Sequence, residues 1–223
     1  MTKINGVKQK INQDRTSERP AWLPILPDPR DEEILGAAFH VFSERGFYEA
    51  TMLEIARCAR ASKATLYARF QNKSGLFKAL LEWGARRYLG ISNSIEKDSA
   101  IDPKEALIHY TTLILEISMQ AEALALFRIA VAESRRSPQI GRIYSNTLKE
   151  HCEGVLSTIA EQLVRAGQLG RVDASEFSDV LLGLLRGELF YRAILGTETS
   201  PSAGQLKKRA RRAVELTLRA FPP

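Results

Sequence analysis

Two helix starts eleven residues apart constrain this chain more than any other feature of its sequence. Thr51-Met52-Leu53-Glu54 has the pattern of a capping box, in which the threonine hydroxyl accepts from the third amide and the glutamate reaches back. Ser62 offers a second cap soon afterwards and opens Lys63 to Phe70. The first segment carries Leu53, Ile55, Ala56 and Ala59 on an apolar face. Helices this short, joined by so tight a turn, must cross steeply, with the first supporting the second. That is the spacing of a helix-turn-helix.

The flanking sequence reads as helix in both directions. Asp28-Pro29-Arg30-Asp31 supplies a cap, a proline suited to the first helical position and acidic residues for the positive end of the helix dipole. Ile34, Leu35, Ala38, Phe39 and Phe42 follow at helical spacing until Gly46, with Phe47 placed to fold back. Asn72 caps a long amphipathic helix from Lys73 through Leu76, Phe77, Leu80, Leu81, Ala85 and Tyr88 towards Ile95. Asp102-Pro103-Lys104-Glu105 reads as another capping box, with a helix to about Met119. Residues 121 to 134 are apolar on almost every side. Ser137-Pro138 restarts the chain for a stripe ending at Gly167, Asp173 with Glu176 caps a helix to Leu195, and a last helix spans about Ala203 to Phe221. No run alternates as a strand would. The expected fold is all-α, with a flexible arm at 1–27, a three-helix helix-turn-helix domain at 28–90 and a helical domain for ligand binding and dimerisation at 91–223.

Charge placement points to the partner. The net charge of the 223 residues is +6, yet residues 51 to 78 alone hold Arg57, Arg60, Lys63, Arg69, Lys73 and Lys78 against the single acid Glu54. A solubility charge has no reason to concentrate there, whereas a polyanion-binding module needs it. The polar amino terminus lacks the apolar core of a signal peptide, and the longest apolar stretch, Ala106 to Leu115, is cut off by Glu105 and Glu116. A cytoplasmic protein with no membrane partner is expected.

On these residues the stretch from Ile34 to Glu82 resembles the DNA-binding domain of the tetracycline-repressor (TetR) family of bacterial transcriptional regulators. The match includes Phe42-Ser43-Glu44-Arg45-Gly46, the Thr51 cap, Ile55-Ala56, Ser62-Lys63-Ala64-Thr65-Leu66-Tyr67, Phe70 and Lys73. Residues 124 to 195, notably Leu126-Phe127-Arg128, Glu133 and Gly167-Gln168-Leu169, are more weakly similar to the carboxy-terminal region of the AefR-like branch. Two positions depart from the pattern. Arg60 stands where the family usually has glycine in the turn, and a bulky residue in a left-handed conformation costs roughly 1 kcal/mol. Ala64 replaces a common glycine and stiffens the second helix.

The resemblance implies a role for each matched residue. Ser62, Lys63, Ala64, Thr65 and Tyr67 would enter a major groove of double-stranded operator DNA, Tyr67 and Lys73 would clamp phosphates, and Thr51 would do so from the preceding helix. Taken singly, Thr51 and Ser62 are equally well caps, Tyr67 packing and Lys73 a solvated charge. The resemblance also implies a small-molecule effector, with Trp83, Tyr88, Tyr110, Phe127 and Tyr144 as the family-based pocket set. Arg128, a charge in an apolar helix, needs a partner. An internal pair with Glu133 or Glu116 is favoured over a role in the ligand cavity.

Residues 177 to 195 are apolar on nearly every face, more than one core can cover, so a homodimer through the last two helices is expected. Gly183, Leu184, Gly187 and Tyr191, with Ala213 and Thr217, are the expected contact positions, the glycines allowing close approach. The basic run from Lys207 to Arg212 falls on the solvated faces of its helix. Cys58 and Cys152 read as buried thiols. No metal-ligand set, catalytic constellation or cofactor motif occurs, so neither cofactor nor enzymatic activity is expected. The function read here is a ligand-responsive repressor binding a palindromic operator as a homodimer. The alternatives are a helical interaction or carrier module that no longer reads DNA, supported by Arg60 alone, and a helical enzyme.

Overall fold

Local capping chemistry sets where the helices begin. The chain is described by a computed structural model over residues 28–97, 102–197 and 201–223, with residues 86–97 described in backbone only. The expected arm at 1–27 and the Tyr88 side chain lie outside the described residues. In chain order the helices are α1 (Pro29–Glu49), α2 (Met52–Cys58), α3 (Lys63–Phe70), α4 (Lys73–Lys97), α5 (Pro103–Ser118), α6 (Ala121–Ser134), α7 (Pro138–Arg165), α8 (Ala174–Ile194) and α9 (Ala203–Ala220). No strand occurs among the described residues. The side-chain oxygens of Asp28, Thr51, Ser62, Asn72 and Asp173 each accept an amide from the first turn they precede.

Two expected boxes differ. Glu54 pairs with Arg45 at 3.0 Å, tying α2 to α1. Asp102 makes no cap bond; its carboxylate accepts from Gln168 Nε2 at 2.8 Å, while Glu105 pairs with Arg211 of α9. All three acids hold tertiary partners in place of their own helix start. Gly46 breaks α1 with φ +73°, which swings Phe47 against Phe42 and Phe77, with ring centroids 5.4 and 5.6 Å apart.

Two apolar cores meet along α4. The first joins α1, α2 and α3 to Leu76, Phe77, Leu80, Leu81 and Trp83 of α4, and continues into Leu126, Ile129 and Ala130 of α6 and Ile140 of α7. The second packs α5, α7, α8 and α9 together, with Tyr110, Leu156, Phe177 and Leu185 buried and Ala85 as its contact on α4. One helix therefore belongs to both cores, and α6 touches the end of α1 directly. There the Glu133 carboxylate lies against Gly46, and Arg136 sits 5.6 Å over the Tyr48 ring. Ala213 and Thr217 are buried inside the second core, Thr217 donating to the Ala213 carbonyl. They cannot line a surface between copies, which corrects that expectation: the apolar stripe of α9 is spent on its own protomer.

Candidate nucleic-acid interface and effector cavity

In α3 Leu66 is buried against the first core, and this anchor turns Lys63, Ala64 and Tyr67 outward. Thr65 is half-buried, and its hydroxyl shares a 2.8 Å hydrogen bond with Ser62. The Lys63 ammonium lies 5.5 Å above the Tyr67 ring. Arg57, Arg60 and Lys63 are exposed and have no carboxylate partner among the described residues, so their charge is available to a polyanion.

The remaining basic residues have internal work. Arg69 donates to Asp28 at 2.6 Å and also to Asp31, clamping α3 to the first turn of α1. The Arg69 hydrogen bond, then the Arg30 amide, hold the Asp28 carboxyl below its ordinary pKa. Lys78 pairs with Glu82. Lys73 is half-buried, and its ammonium donates to the Tyr48 and Ala50 carbonyls at 2.9 and 2.8 Å, 4.6 Å from the centre of the Phe47 ring. Desolvation lowers its pKa against the nearby Glu133 charge. Lys73 is therefore a fastener between α1 and α4, not a solvated charge.

The turn between α2 and α3 closes with Arg60 in place. Its φ is +52°, the left-handed region where glycine is at ease, and the Ala61 amide still donates to the Ala56 carbonyl at 2.8 Å. Arg30 of α1 donates to the Arg60 carbonyl at 2.6 Å. The departure strains one residue and leaves the motif intact.

A cavity of about 50 Å³ lies where α4 to α8 converge, walled by Leu81, Ile114, Leu126, Tyr144, Cys152 and Phe190. Of the expected pocket residues whose side chains are described, only Tyr144 lines it. Phe127 stands behind, its ring 5.4 Å from Tyr144 and 5.3 Å from Phe190. Trp83 and Tyr110 are buried in the first and second cores. Arg128 takes neither expected role: its Nε and Nη2 donate to the Ile194 and Ala193 carbonyls, both at 2.8 Å. It neutralises the negative end of α8, where a cation is favoured.

The charged wall residue is one that sequence reasoning missed, Arg186 of α8. Its signal in the sequence was weak, since Arg186 shares the run from 177 to 195 with Asp179, Glu188 and Arg192. Burial pushes the Tyr144 hydroxyl up to about 12 and the Cys152 thiol up to about 11, and in both cases the Arg186 charge opposes the shift. Cys58, by contrast with expectation, is exposed on α2.

On the outer side of α8, Leu184, Tyr191 and Leu195 are 37, 66 and 75% exposed, and Gly183 is open. Gly187 does not serve close approach by a second copy. It kinks α8 with φ +42°, and Arg209 of the same chain fills the kink.

Residues 34–80 match the family model described as bacterial regulatory proteins, tetR family, and residues 105–223 match the carboxy-terminal domain of AefR-like transcriptional repressors. An uncharacterized HTH-type transcriptional regulator of Mycobacterium tuberculosis is 27% identical over 183 residues, covering 82% of each chain. The crystal structure of a TetR-family regulator from Mesorhizobium loti superposes with a TM-score of 0.71 at 26% identity, covering 87% of this chain and 98% of that one. The flavonoid-responsive regulator FrrA superposes with a TM-score of 0.65 at 27% identity, covering 87% and 98%.

Proposed function

Because the chain belongs to the tetR family of bacterial regulators and is a DNA-binding transcriptional regulator rather than an enzyme, we propose that it acts as a homodimeric, ligand-responsive repressor on a palindromic operator. The observation that carries this reading is the sharing of α4 between two cores, one under the helix-turn-helix and one beside the cavity. Movement of the cavity wall tilts α4 and with it the platform of α3. Two recognition helices about 34 to 36 Å apart meet successive major grooves, so a small tilt spoils the register. By linkage, a ligand that prefers the DNA-free form weakens DNA binding by the factor that DNA weakens ligand binding, typically about 5- to 150-fold.

In this reading Lys63, Ala64 and Tyr67 meet the groove, Ser62, Thr65 and Thr51 fix the helix ends that present them, and Arg57 and Arg60 add phosphate contacts. The exposed α8 surface of Gly183, Leu184, Tyr191 and Leu195 supplies the dimer contact, since a contiguous apolar patch on a soluble regulator calls for a partner. A small-molecule effector agrees with the flavonoid response of FrrA, a structural neighbour. The carrier-module alternative loses its footing, because the turn closes around Arg60.

Selection of bound sequences from random DNA, followed by anisotropy across a salt series, tests this. A two-fold symmetric site bound with steep salt dependence is expected. Binding that never becomes sequence-specific, or a monomer mass in sedimentation equilibrium at micromolar concentration, overturns it.

A further inference from the structure

Arg186 is the one charged side chain among the described residues that line the cavity. Its guanidinium lies 5.5 Å from the centre of the Phe190 ring, and its Nε is buried with no hydrogen-bond partner among the described residues. A buried donor on a cation that lacks a counter-charge is costly, and proteins keep such groups where a ligand completes them. The walls around it, Leu81, Ile114, Leu126, Leu148 and Phe190, are apolar. The one hydroxyl among them outside Tyr144, that of Ser118, is already given to the Ile114 carbonyl at 2.7 Å.

We propose that Arg186 reads the charge of the effector, and that the effector is a small organic monocarboxylate with an apolar body. The proposal rests on the ligand-responsive reading above. A guanidinium fork matches a carboxylate in two parallel hydrogen bonds, and a single cation with only the Tyr144 hydroxyl as a further uncommitted oxygen donor suits one negative charge rather than a phosphate or a sugar. A volume of about 50 Å³ holds a headgroup but not a body, since an apolar cavity that admits benzene is about 150 Å³. The body therefore enters by displacing side chains. Arg186 adjoins the Gly187 kink, so a carboxylate drawing on it acts on α8 where that helix is least regular. The body is aromatic or aliphatic, the shared feature being the acid.

The test uses the full chain with benzoate and octanoate, their neutral amides, and the variants Arg186→Met and Arg186→Lys, followed by calorimetry and melting. Each acid that binds should do so roughly 10- to 100-fold more tightly than its own amide. That preference should vanish in Arg186→Met and survive in part in Arg186→Lys. With no additive, Arg186→Met should melt no lower than the wild type, because relief of the unpartnered buried Nε offsets the lost contact with the Phe190 ring. Binding of one acid and not the other supports the proposal and names the body. Equal binding of acids and amides, preference retained in Arg186→Met, or no binding by any of the four overturns it. Operator release is read in parallel. Release by acids and amides alike defeats the charge assignment and leaves the ligand-responsive reading standing; acid binding through Arg186 without release does the reverse.

Discussion

Arg209 of α9 lies in the notch that Gly187 makes in α8, donating from Nε to the Leu185 carbonyl and from Nη2 to the Leu184 carbonyl at 2.8 and 2.7 Å. A kink frees helical carbonyls, and a buried one left without a donor is expensive. The guanidinium supplies two donors at once, and a Cβ on residue 187 would collide with it. Gly187→Ala should thus destabilise the protein by about 1–3 kcal/mol, through both the clash and the positive φ. Arg209→Ala should cost about 1–2 kcal/mol. The double variant should lose less than the sum in urea unfolding, since the two residues share one contact. Additive losses would mean that the notch and the arginine are independent.

Arg60 holds a left-handed conformation that glycine adopts freely. Arg60→Gly should therefore be more stable than Arg60→Ala by about 1 kcal/mol, although neither keeps the charge. Both should bind operator DNA with a shallower salt dependence than the wild type. Equal stabilities in the two variants would show that the turn carries no strain.

What could be read from the sequence was mostly local. Caps such as Thr51, Ser62 and Asp173 act within one turn of their own helix, so pattern alone located them. The strain at Arg60 was legible for the same reason. Partners far along the chain were not. Gly187 was recognisable as a site of close approach, but whether a second copy or Arg209 fills it depends on how α8 and α9 pack. Arg128 is the lone cation of α6, whereas Arg186 shares α8 with Asp179, Glu188 and Arg192, and only the rotation of α6 and α8 sends one to helix-end carbonyls and the other to the wall of a cavity. A stripe such as Ala213 and Thr217 marks a buried face without naming what buries it.

Lys73 and Lys63 separate two meanings of a basic residue at the interface. Lys73 fastens the Tyr48 and Ala50 carbonyls. Lys73→Ala should lower stability by about 1–2 kcal/mol as well as weaken DNA binding. Lys63→Ala, on the exposed side of α3, should leave the melting temperature unchanged and reduce the salt slope by about 1. Tyr67→Ala should weaken operator binding without unfolding the protein. Unchanged affinity in both Lys63→Ala and Tyr67→Ala, by anisotropy, would remove α3 from the interface.

The two thiols should differ sharply in reactivity. Attack needs the thiolate, and burial pushes Cys152 up to about 11 while closing it off from reagent. Cys58 is exposed, although partial desolvation and then Glu44 and Glu54 raise its pKa. A thiol reagent at pH 8 should titrate one group in the native protein, slowly, and the second only after denaturation. Cys58→Ser should abolish the native reaction, and two fast equivalents in the wild type would contradict the packing of α7.

The Asp28 to Arg69 clamp gives the helix-turn-helix an acid limit. Because Arg69 and the Arg30 amide hold the folded carboxyl below its unfolded value, the stabilisation is fully present above the ordinary carboxylate range and disappears as pH falls through the lower folded value. A group whose folded pKa was raised would lose its contribution in the opposite direction, on going alkaline. The unfolding free energies of wild type and Asp28→Asn, followed from pH 7 to pH 2, should therefore be separated near neutrality and converge below about pH 4. Asn keeps the ability to cap, so the gap reports the ion pair with Arg69 rather than the start of α1. It should also shrink in high salt, since both side chains are substantially exposed. Curves that stay parallel to pH 2 would show that Arg69 gains nothing from the charge on Asp28.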